Sequence, residues 1–292
     1  MPTGGALVEL APRPADRGVQ ARRATWYKNR ALIAGLIITG IVLIAAIIAP
    51  LITFYNPITQ NLTDALQGPS AAHWLGTDQF GRDTWTRLIY GARVDLRVAF
   101  IAVLFPFVLG TVLGSIAGYF GGWADLVIMR VVDVFVAFPF FVLLIALVFV
   151  LGPGARSIYI AITVVGWVSY ARIVRAEILV AKRQEYVLAA QSAGLSNTRI
   201  MGRHLLPNVI SQAIIYGMSD IVQDILAIVT LSYLGLGIPP PTAEWGSMIS
   251  GGQNFLSTHW ELTTIPGIAV ILVGLGLSLI GDGLADILRP SQ

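Results

Sequence analysis

The chain has 292 residues, of which 55% are hydrophobic and only 12% charged, with a formal net charge of +3. Soluble domains carry about a quarter charged residues, so an ordinary soluble domain is excluded. The absence of cysteine excludes disulfides, thiolate chemistry and cysteine-ligated metal.

A mean hydropathy of +0.75 spread over several long apolar runs predicts an all-α polytopic membrane protein. Residues 1–30 are rich in Pro, Ala and Arg and read as a basic tail. Residues 31–53 form the first span, because the run is too long for a signal-peptide core and lacks a small-residue cleavage site.

Residues 54–95 read as a polar loop. In it, Asp78 and Asp83 flank Arg82, which suits a local ion-pair clasp. A solvated loop with incidental pairs is the alternative, since exposed pairs contribute little. The second span covers roughly 96–119. Its Gly110, Gly114 and Gly118 recur every fourth residue and so line one helix face, which favours close helix packing over a substrate lining.

Residues 120–130 read as a short turn, and the third span follows to Leu151 with Pro139 inside it, a bend in the helix. Phe135, Phe138, Phe140 and Phe141 cluster around that proline. They pack or face lipid; the sharper reading makes Phe138 and Pro139 part of a translocation wall. A tight Gly152-Pro153-Gly154 turn leads to a fourth span at about 157–170.

Glu185 to Asn208 form a polar, charged island between long apolar segments. Glu185 to Ala193 are good helix formers, and Gly194 suits a left-handed C-cap. Ser196 is placed to N-cap a second short helix that Pro207 ends. Ala189, Ala190, Ser192 and Ala193 give the first helix a small-residue surface that another protein can approach, a design that a solvated loop does not need.

The fifth span, about 208–237, carries Asp220 and Asp224 one helical turn apart. Carboxylates inside a membrane are costly and point to function. Binding of cationic or amino-terminal substrate groups, pairing with a neighbouring subunit, and tolerance in a wet cavity all stand as readings. Residues 238–264 form a loop with Trp245 and Trp260, which suit a membrane interface. The last span covers roughly 265–280.

Six spans place both termini on one side. The tail, Arg130, segment 171–207 and Arg289 hold most of the lysines and arginines, and the opposite side holds only Arg82, Arg87, Arg93, Arg97 and Arg156. The positive-inside rule therefore predicts cytoplasmic N- and C-termini and a cytoplasmic elbow. It also explains the basic pI without nucleic acid. No phosphate-binding loop is present, because Lys28 and Lys182 are the only lysines and neither follows a glycine. His73, His204 and His259 are isolated in sequence and give no metal-ligand spacing, and no nucleophile elbow is present.

Several stretches carry a family resemblance. Ala189, Ala190, Gly194, Leu206 and Pro207 fall on the spacing of the cytoplasmic Glu-Ala-Ala motif of ABC-importer permeases, with Leu188 where the motif has Glu and His204 where it has Ile. Glu185 three residues earlier, and the Arg203-to-Asn208 ending, resemble the peptide-importer branch. The stretches Leu75–Asp83, Leu231–Gly237, Pro239–Met248 and Gly281–Asp286 resemble the C-type permeases of dipeptide, oligopeptide and nickel importers.

The resemblance implies the type I ABC-importer permease fold, with residues 96–292 a five-helix core and 171–207 its coupling loop. It implies a multi-pass subunit of the bacterial inner membrane that pairs with a second permease, two cytoplasmic ATPases and an extracytoplasmic solute-binding protein met by loops 54–95 and 238–264. ATP and Mg²⁺ then sit on the ATPases, and this chain carries no cofactor and is not an enzyme. Coupling falls to Glu185, Tyr186, Ala189, Ala190, Ser192, Gly194, Leu206 and Pro207. The implied cargo is a peptide, with nickel or another small solute as the alternative. A secondary transporter using Asp220 and Asp224, a membrane-embedded enzyme and a purely structural subunit are the rival readings.

Overall fold

A computed structural model describes residues 29–288. The basic tail and Arg289 lie outside the described residues, apart from Asn29 and Arg30. The described residues are almost wholly helical: α1 (Arg30–Ile47), α2 (Thr84–Phe120), α3 (Gly122–Val136), α4 (Phe140–Leu151), α5 (Ala155–Ala181), α6 (Glu185–Ser192), α7 (Asn197–Ile200), α8 (Leu206–Tyr233), α9 (Trp245–Gly252) and α10 (Glu261–Leu288). Five helices are long and apolar enough to cross a membrane, or six if α3 and α4 count as one broken span.

Several boundaries differ from the sequence reading. The loop expected over 54–95 ends at Asp83, whose side chain caps α2 by accepting from the Thr86 N–H. Arg87, Arg93 and Asp95 give this stretch the charge of a loop, yet they lie within the helix. At about 1.5 Å per residue α2 is about 55 Å long, and a bilayer core is about 30 Å thick. The charged first turns therefore stand clear of the apolar layer.

The expected turn at 120–130 shrinks to Gly121, at φ +65°, and α3 starts at once. Pro139 breaks the third span instead of bending it. Phe138, preceding a proline, disfavours the helical region, so α3 ends, α4 restarts, and the two meet at 87°. The fourth and last spans run well past their expected ends, to Ala181 and Leu288.

Two seams of small residues organise the bundle. Along α2, a Cβ on Gly114 would lie 2.5 Å from the Ala171 carbonyl oxygen, and one on Gly118 would lie 2.9 Å from the Ile178 side chain. The stripe seen in the sequence is thus the α2–α5 seam, where the two backbones approach too closely for a side chain. The second seam joins α1 to α10. A Cβ on Gly35 would lie 2.6 Å from the Gly276 oxygen, and one on Gly283 would lie 2.5 Å from the Leu32 side chain. Ile225, Ile228 and Leu231 of α8 fill the centre with Val98 and Ala102 of α2 and Ile158 of α5. The outer faces of α1 and α2 stay apolar and exposed, with Leu36, Ile37, Ile41, Phe100, Leu104 and Phe105 among them, as a lipid-facing wall requires.

Candidate functional site

The elbow is the most elaborate polar feature at its end of the bundle. Helix α6 closes in a Schellman turn: the Gly194 N–H donates to the Gln191 carbonyl and the Leu195 N–H to the Ala190 carbonyl. Gly194 is at φ +74°, the conformation its position in the sequence predicts. Ser196 occupies the N-cap position of α7, but its hydroxyl caps nothing.

Pro207 does not end the second helix. The backbone runs on from α7 through a π turn, Met201–Leu205, into α8. The Leu206 N–H reaches back to the Met201 carbonyl, a widened turn that absorbs a proline lacking its own N–H. The elbow is therefore rigidly continuous with α8.

Val187 and Ala190 face inward against Tyr170, Val174 and Ile178 of α5, so Ala190 leaves the small exposed surface expected of it. Glu185, Tyr186, Leu188, Ala189, Ser192 and Ala193 remain outside. Leu206 is half-buried and Pro207 exposed. Beside this face lies an open hollow of about 570 Å³ between Tyr119, Lys182, Leu188, Gln191 and Asn197. The elbow is braced from below: Tyr119 donates to Asn197 at 2.9 Å, and the Lys182 ammonium donates to the Gly118 carbonyl at 2.9 Å. Nearby, Arg175 of α5 grips Asp125 of α3 with two hydrogen bonds. These contacts tie the ends of α2, α3 and α5 to α7, and α6 packs on α5 through Val187 and Ala190.

Asp220 and Asp224 are both buried on α8. The Tyr170 hydroxyl donates to Asp220 Oδ2 at 2.8 Å, and the Tyr170 ring stacks edge-on against Phe107 and Tyr216. Asp224 Oδ2 has no hydrogen-bond partner among the described residues. Phe138 and Pro139 sit instead at the exposed α3–α4 corner. The four residues grouped as a candidate path thus divide between packed interior and surface. Sequence reasoning missed Tyr170, whose only sequence signal is its place at the polar end of an apolar run.

At the opposite end the two long loops lock together. Asp78 pairs with Arg82 at 2.7 Å and with Arg87 at 3.4 Å. Asp83 is not the second jaw of a clasp on Arg82; it caps α2 and bonds His73 at 2.9 Å. All four charged residues are buried, so the solvated-loop alternative fails. Arg87 also donates to the Pro57 and Pro241 carbonyls, tying segment 54–83 to segment 234–244.

Glu244, fully buried, accepts from the Gly246 and Ser247 N–H groups and so caps α9. Asp95, also fully buried, accepts from the Trp245 N–H, and the Trp245 indole donates to the Leu88 carbonyl. Burial pushes the Glu244 carboxyl above its ordinary value, against the pull of the two backbone donors. Among the described residues no cluster of His, Asp and Glu is arranged to hold a metal ion.

Comparison with known proteins settles the lineage. Residues 110–292 match the model of the binding-protein-dependent transport system inner membrane component, and residues 20–69 match the N-terminal transmembrane domain of oligopeptide transport permease C. The chain belongs to this family of ABC-transporter permeases.

It is 42% identical to a dipeptide transport system permease protein of Alkalihalophilus pseudofirmus, over 91% of this chain and 87% of that protein. It is 38% identical to an oligopeptide transport system permease protein of Bacillus subtilis, over 90% of this chain and 86% of that one. The fold resembles the inward-facing MetNI methionine ABC transporter, with a TM-score of 0.57 at 16% identity, over 70% of this chain and 97% of that one. The permease is a multi-pass protein of the inner membrane, with the fold class the resemblance implied.

Proposed function

We propose that this permease forms half of the translocation path of an ATP-driven peptide importer and couples that path to a cytoplasmic ATPase through α6. The observation that carries the coupling is the elbow. The short helix α6 is closed by a Schellman turn, presents Glu185, Tyr186, Ala189 and Ser192 outward, and turns at Gly194 into α7, which runs on through the π turn into α8. A displacement of α6 by a closing ATPase dimer moves α8 as a lever. The peptide cargo rests on the similarity to the dipeptide and oligopeptide transport permeases.

In this reading the termini and the elbow face the cytoplasm, as the distribution of lysine and arginine supports. A second permease completes the path. Two ATPases hold ATP and Mg²⁺, and an extracytoplasmic binding protein meets the locked loops 54–83 and 234–260.

The test is cross-linking from Ala189→Cys in native membranes, with sequencing of the captured chain. A Walker-motif ATPase captured at this position, together with a second permease in the purified complex, is the expected result. A chain that purifies alone and transports solute on reconstitution without ATP would overturn the proposal.

A further inference from the structure

At the membrane boundary below the locked loops, α1, α2, α8 and α10 enclose a lateral groove of about 400 Å³. Its walls are apolar: Leu43 and Ile47 of α1, Leu96 and Phe100 of α2, Ile221 of α8 and Leu277 of α10. A methylene is about the size of a water molecule, about 30 Å³ in the liquid, so the groove takes on the order of a dozen methylenes.

The same groove is lined by Arg93 and Arg97. They lie one turn apart on one face of α2, both are exposed, and neither pairs with a carboxylate among the described residues.

Their depth is fixed by the sequence around them. No charged residue occurs between Arg97 and the end of α2 at Phe120, so Arg97 is the last charge before the apolar layer. On the facing wall Leu43 and Ile47 of α1 line the groove alongside Arg93 and Arg97. Two guanidiniums at headgroup depth, over an apolar slot open to the side, match one kind of molecule in both charge and shape. A guanidinium binds phosphate oxygens bidentately and is weakly hydrated, and arginines near the surface favour anionic lipid. A protein helix seated here would have to bring its own carboxylate to this depth, which is costly.

We propose that Arg93 and Arg97 hold the phosphate of an anionic phospholipid whose acyl chain lies in the groove between α1 and α2. The lipid then wedges α1 against the core, on the side away from the elbow. The inference rests on the membrane placement of the chain and is independent of its cargo.

The experiment is native mass spectrometry of the assembled transporter in mild detergent, titrated with dioleoyl phosphatidylglycerol or with dioleoyl phosphatidylcholine. Phosphatidylglycerol binds at about 25-fold lower concentration, since each of the two cations near an anionic headgroup contributes about fivefold. Arg93→Gln with Arg97→Gln abolishes that preference, Arg93→Lys with Arg97→Lys keeps most of it, and excess inorganic phosphate does not displace the lipid. A photo-reactive residue in place of Phe100, with both arginines intact, labels lipid and covers the case in which the Gln variant fails to assemble. Equal binding of the two lipids, a preference untouched by the Gln substitutions, displacement by phosphate, or labelling of the second permease from position 100 would each overturn the proposal.

Discussion

The Tyr170 hydroxyl on α5 donates to Asp220 Oδ2 on α8 at 2.8 Å, in an interior that offers the carboxyl little water. The bond ties together the two helices that border the elbow. Removing the donor leaves a buried acceptor underpartnered, which costs about 1–3 kcal/mol. Tyr170→Phe is therefore expected to lower the detergent unfolding temperature by several degrees. The same substitution in an Asp220→Ala background costs much less, as a double-mutant cycle measures. Equal costs in both backgrounds would reduce the bond to a bystander.

Gly194 is held at φ +74°, and a Cβ there would meet nothing within 4 Å. The constraint is backbone conformation alone. A non-glycine residue in the left-handed region costs about 1–2 kcal/mol, most for β-branched side chains and least for Asn. Gly194→Val is expected to abolish ATP-driven uptake with insertion into the membrane intact, and Gly194→Asn to retain most of it. Uptake assays beside quantification of the membrane-inserted protein decide the matter; normal uptake by the Val variant would refute the elbow's role.

The seam glycines differ from those that face open space. A Cβ on Gly114 would lie 2.5 Å from the Ala171 oxygen, whereas one on Gly40 would meet nothing within 4 Å. Gly114→Leu should force α2 from α5 and cost at least the roughly 1–3 kcal/mol of an overpacked core. Gly40→Ala should be neutral or should stabilise α1 by about 0.5–1 kcal/mol. Thermal unfolding of the two purified variants provides the contrast.

Burial raises the Glu244 carboxyl above its ordinary value of 4.5, so the folded protein holds this proton longer than the unfolded chain does. The associated stability is complete below the unfolded value and is lost as pH rises through the folded one. The difference in unfolding temperature between the wild type and Glu244→Gln is expected to shift in favour of the Gln variant as pH rises above 4.5, until it passes the raised folded value. A difference that does not change with pH would show that Glu244 does not titrate in this window.

The elbow is legible in the sequence because its determinants are local. A helix-forming run and a glycine at the C′ position predict a short helix and its stop from a dozen residues, although Ser196, placed to cap the next helix, makes no capping bond. Pro207 misleads because a proline in sequence marks either an end or a tolerated defect. The π turn that tolerates it depends on Ile200 and Leu205 being held in the core by α5. Asp83 and Asp78 look equivalent beside Arg82. Their partners, His73 and Arg87, are chosen by a chain path that no local pattern encodes.

The sequence by itself determined the membrane class, the all-helical fold class and the glycine stripe of α2, all of which follow from composition and short periodicities. Only the tertiary structure decided which surfaces those features meet. It set the α2 stripe against α5 and α1 against α10, buried Glu244 and Asp95 around one short helix, and gave Asp220 its phenol. In a membrane nearly every apolar face is compatible with lipid, so hydrophobic pattern alone assigns no partner. The assignment falls to close backbone contact and to a few buried polar groups that must find each other.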